Sequence, residues 1–155
     1  MDYLVACYLF KGLKESQLQR LSEVAREVEI EKEQWLFREG LKAEEIYLLK
    51  NGAVELITKV DDDFELPIAM LRNPGSCFGT SALVAPHVYS LSARCAEGGS
   101  ILIIRQVDLL KLVQQDRDLG CTVMTNWAEH LLHRLQDNRQ QLKIHFKTLF
   151  QQVQT

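Results

Sequence analysis

The stretch 74–93 contains the residues whose types and order are best suited to binding chemistry. A strand that ends at Pro74-Gly75 is followed by Phe78-Gly79-Thr80-Ser81, in which glycine permits a sharp turn and a hydroxyl residue can cap one helical turn that stops before Pro86. Such a turn leaves backbone amides unpaired, and together with the helix dipole these amides would bind a phosphate or another anion. The alternative is a turn that only caps a helix.

Two further groups of residues invite a metal-binding interpretation. Asp61-Asp62-Asp63 is an acidic triplet, but it lacks the later glycine and glutamate of a calcium loop, which favours an exposed turn. His130 and His133 follow Glu129 and would lie near one face of a helix. No third ligand stands nearby, and solvated helix histidines are the commoner arrangement, so the sequence predicts neither a metal nor another cofactor.

Enzyme chemistry is not indicated by any motif. The sequence has no P-loop, no Gly-x-Ser-x-Gly, no His-Glu-x-x-His and no paired catalytic carboxylates, so we expect a protein without enzymatic activity. Four cysteines lie far apart without a Cys-x-x-Cys pair, which argues against structural zinc and predicts reduced, buried thiols. These are Cys7, Cys77, Cys95 and Cys121.

Composition and charge narrow the class of protein. The chain has 155 residues, of which 46% are apolar and 25% charged, as expected for one globular domain with a real core. The net charge of -3 provides no positive field for a polyanion, so direct binding of nucleic acid is not expected. An acid at Asp2 and the lack of a long uncharged apolar stretch predict a cytoplasmic protein without a membrane span.

Hydrophobic periodicity predicts a mainly β domain with flanking helices. Residues 15–28 have apolar side chains at helical spacing. From about 28 to 104 short apolar segments alternate with turn residues. Asn51-Gly52 predicts a hairpin turn, and Glu97-Gly98-Gly99 predicts a turn that links two strands. The pattern is typical of an antiparallel β-roll or jelly roll. The strands are predicted near 28–31, 45–50, 53–60, 64–72, 88–95 and 99–105.

Helical spacing returns at 106–115 and then over a long stretch, about 118–153. Its apolar residues step by three and four, as in a coiled-coil seam, and Asn138 in this seam would set the register. A stripe about 50 Å long exceeds what the roll can cover, which predicts a homodimer through this helix. The alternative is a helix folded back on its own domain. We therefore divide the chain into a roll, 1–117, and a dimerisation helix, 118–155.

Four short motifs stand in order along the predicted elements: Leu9-Phe10-x-Gly12-Leu13, Phe37-Arg38-Glu39-Gly40, Tyr47-Leu48-Leu49-x-x-Gly52-x-Val54 and Pro74-Gly75-x-x-Phe78-Gly79. Together with the order of elements, they resemble the cyclic nucleotide-binding domain of the cyclic AMP receptor protein (Crp/Fnr) superfamily. The resemblance covers nearly the whole chain, and the turn Phe78-Gly79-x-Ser81-Ala82-Leu83-Val84 is similar to that of short single-domain bacterial members without a DNA-binding domain. The resemblance implies a regulatory sensor that binds a cyclic nucleotide.

The segment 78–92 corresponds to the phosphate-binding cassette of that superfamily, and we use this name for it below. Phe78, Gly79, Ala82 and Leu83 match the cassette, whereas Thr80 replaces its ribose-binding glutamate and Tyr89 its phosphate-binding arginine. Loss of the arginine removes a charge-assisted contact worth roughly 1.5–3 kcal/mol. Tight binding of ordinary cyclic AMP is therefore not expected.

Three interpretations of the cassette follow. In the first, an anion such as a cyclic nucleotide binds to the cassette through backbone amides and hydroxyls. In the second, the cassette binds a less charged molecule. In the third, the Tyr89 side chain fills the space and the domain is a dimeric structural module. The resemblance also implies that residues of the long helix contact the ligand. As an alternative, it implies a haem site at Cys77 and His87, since some sensors of this superfamily bind haem through Cys and His. The predicted ligand-binding residues are Phe78, Gly79, Thr80, Ser81, Ala82, Tyr89, Ser90, Ser92, Asn138 and Arg139.

The sequence thus predicts a non-enzymatic sensor in which a small anionic ligand orders the cassette and shifts the long helix. Two other functions remain open. One is a dimeric interaction module with a vestigial pocket. The other is a transcription regulator that acts through a partner protein, which supplies the DNA binding.

Overall fold

The computed structural model describes residues 2–154 and shows a sheet of six antiparallel strands flanked by helices. The predicted mainly β fold with a long C-terminal helix is confirmed. The helices are α1 (Asp2–Ala6), α2 (Glu15–Val24), α3 (Gln106–Gln115) and α4 (Arg117–Gln154), with 3-10 turns at Tyr8–Phe10 and Thr80–Leu83. The strands are β1 (Ala25–Ile30), β2 (Trp35–Phe37), β3 (Glu45–Asp61), β4 (Phe64–Leu71), β5 (Cys77–Phe78) and β6 (Ser92–Arg105).

The first helix of the sequence pattern ends earlier than predicted. We expected a helix over 15–28, but α2 stops at Val24 and the chain continues directly into β1. Ala25 pairs with Ile104 and Ile30 with Gly99 along β6. Because this ladder satisfies the backbone and packs Ile30 into the core, tertiary pairing overrides the helical spacing of the apolar residues.

The predicted hairpin turn at Asn51-Gly52 and the predicted turn between two strands at 97–99 are both wrong. β3 is one strand of 17 residues and β6 one of 14, and they pair with each other from Glu45–Arg105 to Ile57–Ser92. The register shifts around Asn51 and Ala53, opposite the glycines of β6. Two bulges that face each other therefore bend the paired strands into a roll. Taken alone, the glycine pattern of each strand would indicate a turn instead.

The sheet order is β1-β6-β3-β4, with β2 on β6 and β5 on β3. The strand expected at 88–95 begins only at Ser92, because the preceding residues belong to the cassette loop. The acidic triplet forms an exposed turn between β3 and β4, and the Asp61 carboxylate accepts a hydrogen bond from the amide of Asp63 at 2.9 Å. The core lies inside the roll. Its fully buried side chains include Ile46, Leu48, Leu49, Val54, Ile101 and Ile104.

Helix α4 has 38 residues, a length of about 57 Å at 1.5 Å per residue. Only its first third packs on the roll, through Leu119, Val123 and Trp127. The Asn126 amide donates hydrogen bonds of 2.9 Å to the carbonyl oxygens of Leu9 and Lys11. From residue 131 onward every described side chain of α4 is exposed, which excludes a helix folded back on its own domain.

Within residues 2–154 no helix is long and apolar enough to cross a bilayer. The cysteines are free, but the expectation of buried thiols holds only for Cys7 and Cys95. Cys77 is half-buried, and Cys121 is exposed because it lies on the outer face of α4.

Gly52 and Gly40 form a matched pair for testing the bend in β3. Both have positive φ angles, +91° and +88°, but a Cβ at Gly52 would lie 2.6 Å from the Glu97 carbonyl oxygen, whereas none of the described atoms lies within 4 Å of one at Gly40. We expect Gly40→Ala to lower the free energy of unfolding by about 1–2 kcal/mol through backbone strain. Gly52→Ala should cost about 1–3 kcal/mol more through the steric clash. Urea unfolding measures both, and equal losses would contradict the facing-bulge account.

Candidate functional site

The cassette begins with a sharp turn that the packing of β5 on β3 requires. Gly79 has φ +77°, and a Cβ there would lie 2.9 Å from the Tyr47 ring. The 3-10 turn Thr80–Leu83 follows, so the predicted helical turn is present. The amide of Ala82 donates to the Gly79 carbonyl oxygen at 3.3 Å. That amide is used within the turn, so the expectation that it is free for an anion is wrong.

Tyr89, at the position of the missing arginine, is buried with 5% of its surface exposed. Its ring stacks on Phe37 at a centroid distance of 3.9 Å, and its hydroxyl donates to the Glu45 carbonyl oxygen at 2.9 Å. Tyr47 and Phe78 complete this aromatic cluster, with a centroid distance of 5.3 Å between them. Burial raises the pKa of Tyr89, so its hydroxyl is neutral and supplies no charge to a ligand.

The far end of the cassette is held by His87. The ring atom Nδ1 of His87 lies 2.9 Å from the Ala82 carbonyl oxygen and 2.7 Å from Nε2 of Gln106, the first residue of α3. The Cys77 thiol contacts Cys7 instead, and this contact, together with burial, raises the pKa of Cys77 well above its usual value. The two residues of the alternative haem site are thus engaged in separate contacts.

A small cavity remains between the cassette and α4. Its volume is about 70 Å³, and it opens between the turn at Thr80 and the helix residues His130 and Arg134. Several waters or one anion the size of phosphate fit in such a volume, whereas sites for drug-sized ligands are about 300–1,000 Å³. Tyr89 and its aromatic neighbours occupy the inner part of the roll that a larger ligand would need.

Six of the predicted ligand-binding residues line this cavity. They are Phe78, Gly79, Thr80, Ser81, Tyr89 and Ser90. The hydroxyl oxygens of Ser81 and Ser90 lie 3.2 Å apart at its polar edge. Ala82 and Ser92 lie outside it, and the Ser92 hydroxyl accepts a hydrogen bond from the Glu39 amide at 2.8 Å. Asn138 and Arg139 are exposed on α4 and do not reach the cavity of their own chain.

Sequence reasoning missed Tyr8, His130 and Arg134 as cavity residues. The ring of His130 stacks on Tyr8 at a centroid distance of 3.9 Å. Burial lowers the pKa of His130 and the charge of Arg134 lowers it further, so the imidazole is neutral near pH 7. The described residues contain no cluster of three or more His, Cys, Asp or Glu side chains that could hold a metal ion.

The comparisons with known proteins agree with this geometry. A family model described as the cyclic nucleotide-binding domain matches residues 27–116, more than half of the chain. The chain belongs to the cyclic nucleotide-binding domain family. The resemblance to Crp/Fnr-type regulators is thereby confirmed.

One curated relative and two solved structures illustrate the similarity. An anaerobic regulatory protein of Bacillus subtilis is 28% identical over 82% of this chain and 53% of its own length, so the chain spans about half of that relative. The catabolite activator protein of Thermus thermophilus is 24% identical with a TM-score of 0.74, covering 88% of this chain and 62% of that one. The N-terminal domain of a transcriptional regulator from Streptomyces coelicolor is 22% identical with a TM-score of 0.73, covering 89% and 95%.

Tyr89 and Tyr47 allow a test of the aromatic cluster, because both hydroxyls bond to Glu45. Tyr89→Phe removes a buried hydrogen bond to the Glu45 carbonyl oxygen and should lower the free energy of unfolding by about 1–2 kcal/mol. The matched control Tyr47→Phe loses a bond to the Glu45 carboxylate, which stays paired with Arg26 and partly hydrated, and should cost less than Tyr89→Phe. An unchanged midpoint for Tyr89→Phe in urea would mean that the Tyr89 hydroxyl is not held inside the cluster.

Proposed function

We propose that this protein is a non-enzymatic sensor of the cyclic nucleotide-binding family that binds a small anionic ligand at the cassette and acts as a homodimer through α4. One observation carries the proposal: the cavity lies between the cassette turn and α4, so a ligand there contacts both elements. A ligand whose contacts differ between two positions of the helix shifts the equilibrium between them. The family's regulatory character supports this role.

The exposed apolar side chains of α4 support the dimer. Leu131, Leu135, Leu142 and Leu149 are 42–57% exposed and follow heptad spacing, and Leu132, Phe146 and Val153 extend the stripe on one side. A monomer leaves this stripe in water. Burying each leucine side chain fully would contribute about 1.5–3 kcal/mol, so a second copy of the helix is the favoured cover.

Asn138 and Arg139 are proposed to contact the ligand that is bound to the second copy of the chain. With leucines 131, 135 and 142 in the seam, Asn138 occupies a core position and Arg139 a flanking one. In a parallel pair of helices a flanking residue lies beside the opposite flank of its partner. A contact of these two residues with ligand is therefore proposed across the dimer, since neither reaches the cavity of its own chain.

Introducing negative charge into the stripe tests the dimer. The double variant Leu135→Glu, Leu142→Glu should be monomeric at micromolar concentration, because carboxylates in the seam repel and lose apolar burial. The control Gln140→Glu places one negative charge on the opposite side of the same helix and should remain dimeric. Sedimentation velocity measures the mass of each variant, and a wild-type protein that is monomeric at 100 µM would contradict the proposal.

Ligand binding is tested by calorimetric titration with cyclic AMP, cyclic GMP and cyclic dinucleotides. We expect weak, measurable binding, because the cassette lacks its arginine and retains its hydroxyls. No heat and no thermal shift at millimolar ligand would remove the sensor function for these compounds.

An interaction module with a vestigial pocket is the second candidate. It is favoured by the buried Tyr89 and by the exposed apolar residues of β4, where Phe64, Leu66, Ile68 and Met70 are 43–52% exposed. A dimer that binds none of the nucleotides would support this function. Transcription regulation through a partner that supplies DNA binding is a further possibility in view of the regulatory relatives, and a gel shift at low salt tests direct DNA binding by this chain.

A further inference from the structure

The side chains that line the cavity include a positively charged group and no negatively charged one. The aliphatic hydroxyl groups of the cavity come from Thr80, Ser81 and Ser90, its phenol groups from Tyr8 and Tyr89, and its side-chain nitrogen groups from His130 and Arg134. No aspartate or glutamate is among its lining residues. A niche that is lined by hydroxyl donors and one cation, with no acidic side chain, attracts an anion and repels a cation.

Arg134 differs from the arginines of the roll in having no carboxylate partner. Arg20, Arg26, Arg38, Arg72, Arg94 and Arg105 each form an ion pair with an aspartate or glutamate. Among residues 2–154, the side chains of Arg117, Arg134 and Arg139, all on α4, form no ion pair or hydrogen bond. Of these three, only Arg134 lines the cavity.

The position of Arg134 follows from the docking of α4. Tyr8 stacks on His130, and Arg134 stands four residues further along the helix on the same face. Arg134 therefore lines the cavity together with the hydroxyl residues of the cassette. At the inner end, Tyr89 is neutral and donates its hydroxyl to the Glu45 carbonyl oxygen, so the cassette itself brings no cation.

We propose that Arg134 supplies the positive charge that binds a phosphate group in this cavity, in place of the arginine that the cassette lacks. The guanidinium forms a bidentate contact with two phosphate oxygens, and the hydroxyls of Ser81 and Ser90 donate to the others. The small volume suits the phosphate group itself, and any sugar or base attached to it lies toward the open mouth.

This assignment deepens the proposed function and rests on it. Arg134 is next to Leu135 and three residues beyond Leu131, both in the apolar stripe. A phosphate held by both Arg134 and the cassette therefore ties the roll to the part of α4 that pairs with a second copy. Ligand binding and the position of α4 are therefore coupled through the Arg134 side chain. An arginine in the cassette would instead attach the phosphate to the roll alone.

The test is a calorimetric titration of the full chain and three variants with cyclic AMP, AMP and inorganic phosphate. Arg134→Gln should weaken binding of each probe that the wild type binds by about tenfold or more, and Arg134→Lys should recover part of the loss because it keeps charge without the bidentate geometry. The control Arg117→Gln removes the same charge from an exposed arginine of the same helix and should bind as the wild type.

Each outcome separates the two proposals. Binding by the wild type and Arg117→Gln with a tenfold loss in Arg134→Gln supports the assignment, and the rank of the three probes distinguishes a phosphodiester, a phosphomonoester and free phosphate as the source. Equal affinity of the wild type and Arg134→Gln overturns the role of Arg134 and leaves ligand binding intact. No binding of any probe by the wild type at millimolar concentration overturns anion binding itself. Because Arg134 is exposed, its variants should fold, which circular dichroism checks.

Discussion

Two hydrogen bonds from the Asn126 amide hold α4 against the N-terminal segment, and the candidate site depends on this attachment. The bonds reach the carbonyl oxygens of Leu9 and Lys11 while Trp127 packs into the core on the same turn. One turn later, the helix presents its side chains to the cassette. If α4 were rotated by one residue, about 100°, the cavity would lose its only arginine among the described lining residues.

The roll and its site use the same aromatic residues for different purposes. Tyr47, Phe78 and Tyr89 are core residues that fix the cassette turn to β3, and they also close the inner end of the cavity. A substitution that enlarged the cavity would also remove packing that holds the turn in place. The structure thus combines a rigid inner wall with an outer wall formed by a helix that is attached at only one end.

Elements with a strong local pattern could be predicted from the sequence. Helix α3 and the turn after Gly79 lie where the spacing and the glycine place them. The bulges at Gly52 and at 97–99 could not be predicted, because a glycine in a bulge and one in a hairpin have the same local pattern. The hydroxyls of the cassette were found from their order, but Arg134 depends on the angle at which α4 docks, for which one sequence contains no local pattern.

In the proposed sensor, the phosphate of the ligand lies between the cassette and α4. The most direct measurement is a crystal structure of the protein grown with millimolar cyclic AMP. We expect phosphate density within hydrogen-bond distance of the Ser81 hydroxyl and the Arg134 guanidinium, with Tyr89 still bonded to Glu45. A nucleotide whose phosphate lies away from Arg134, or a cavity that stays closed to it while the dimer forms, would contradict the account.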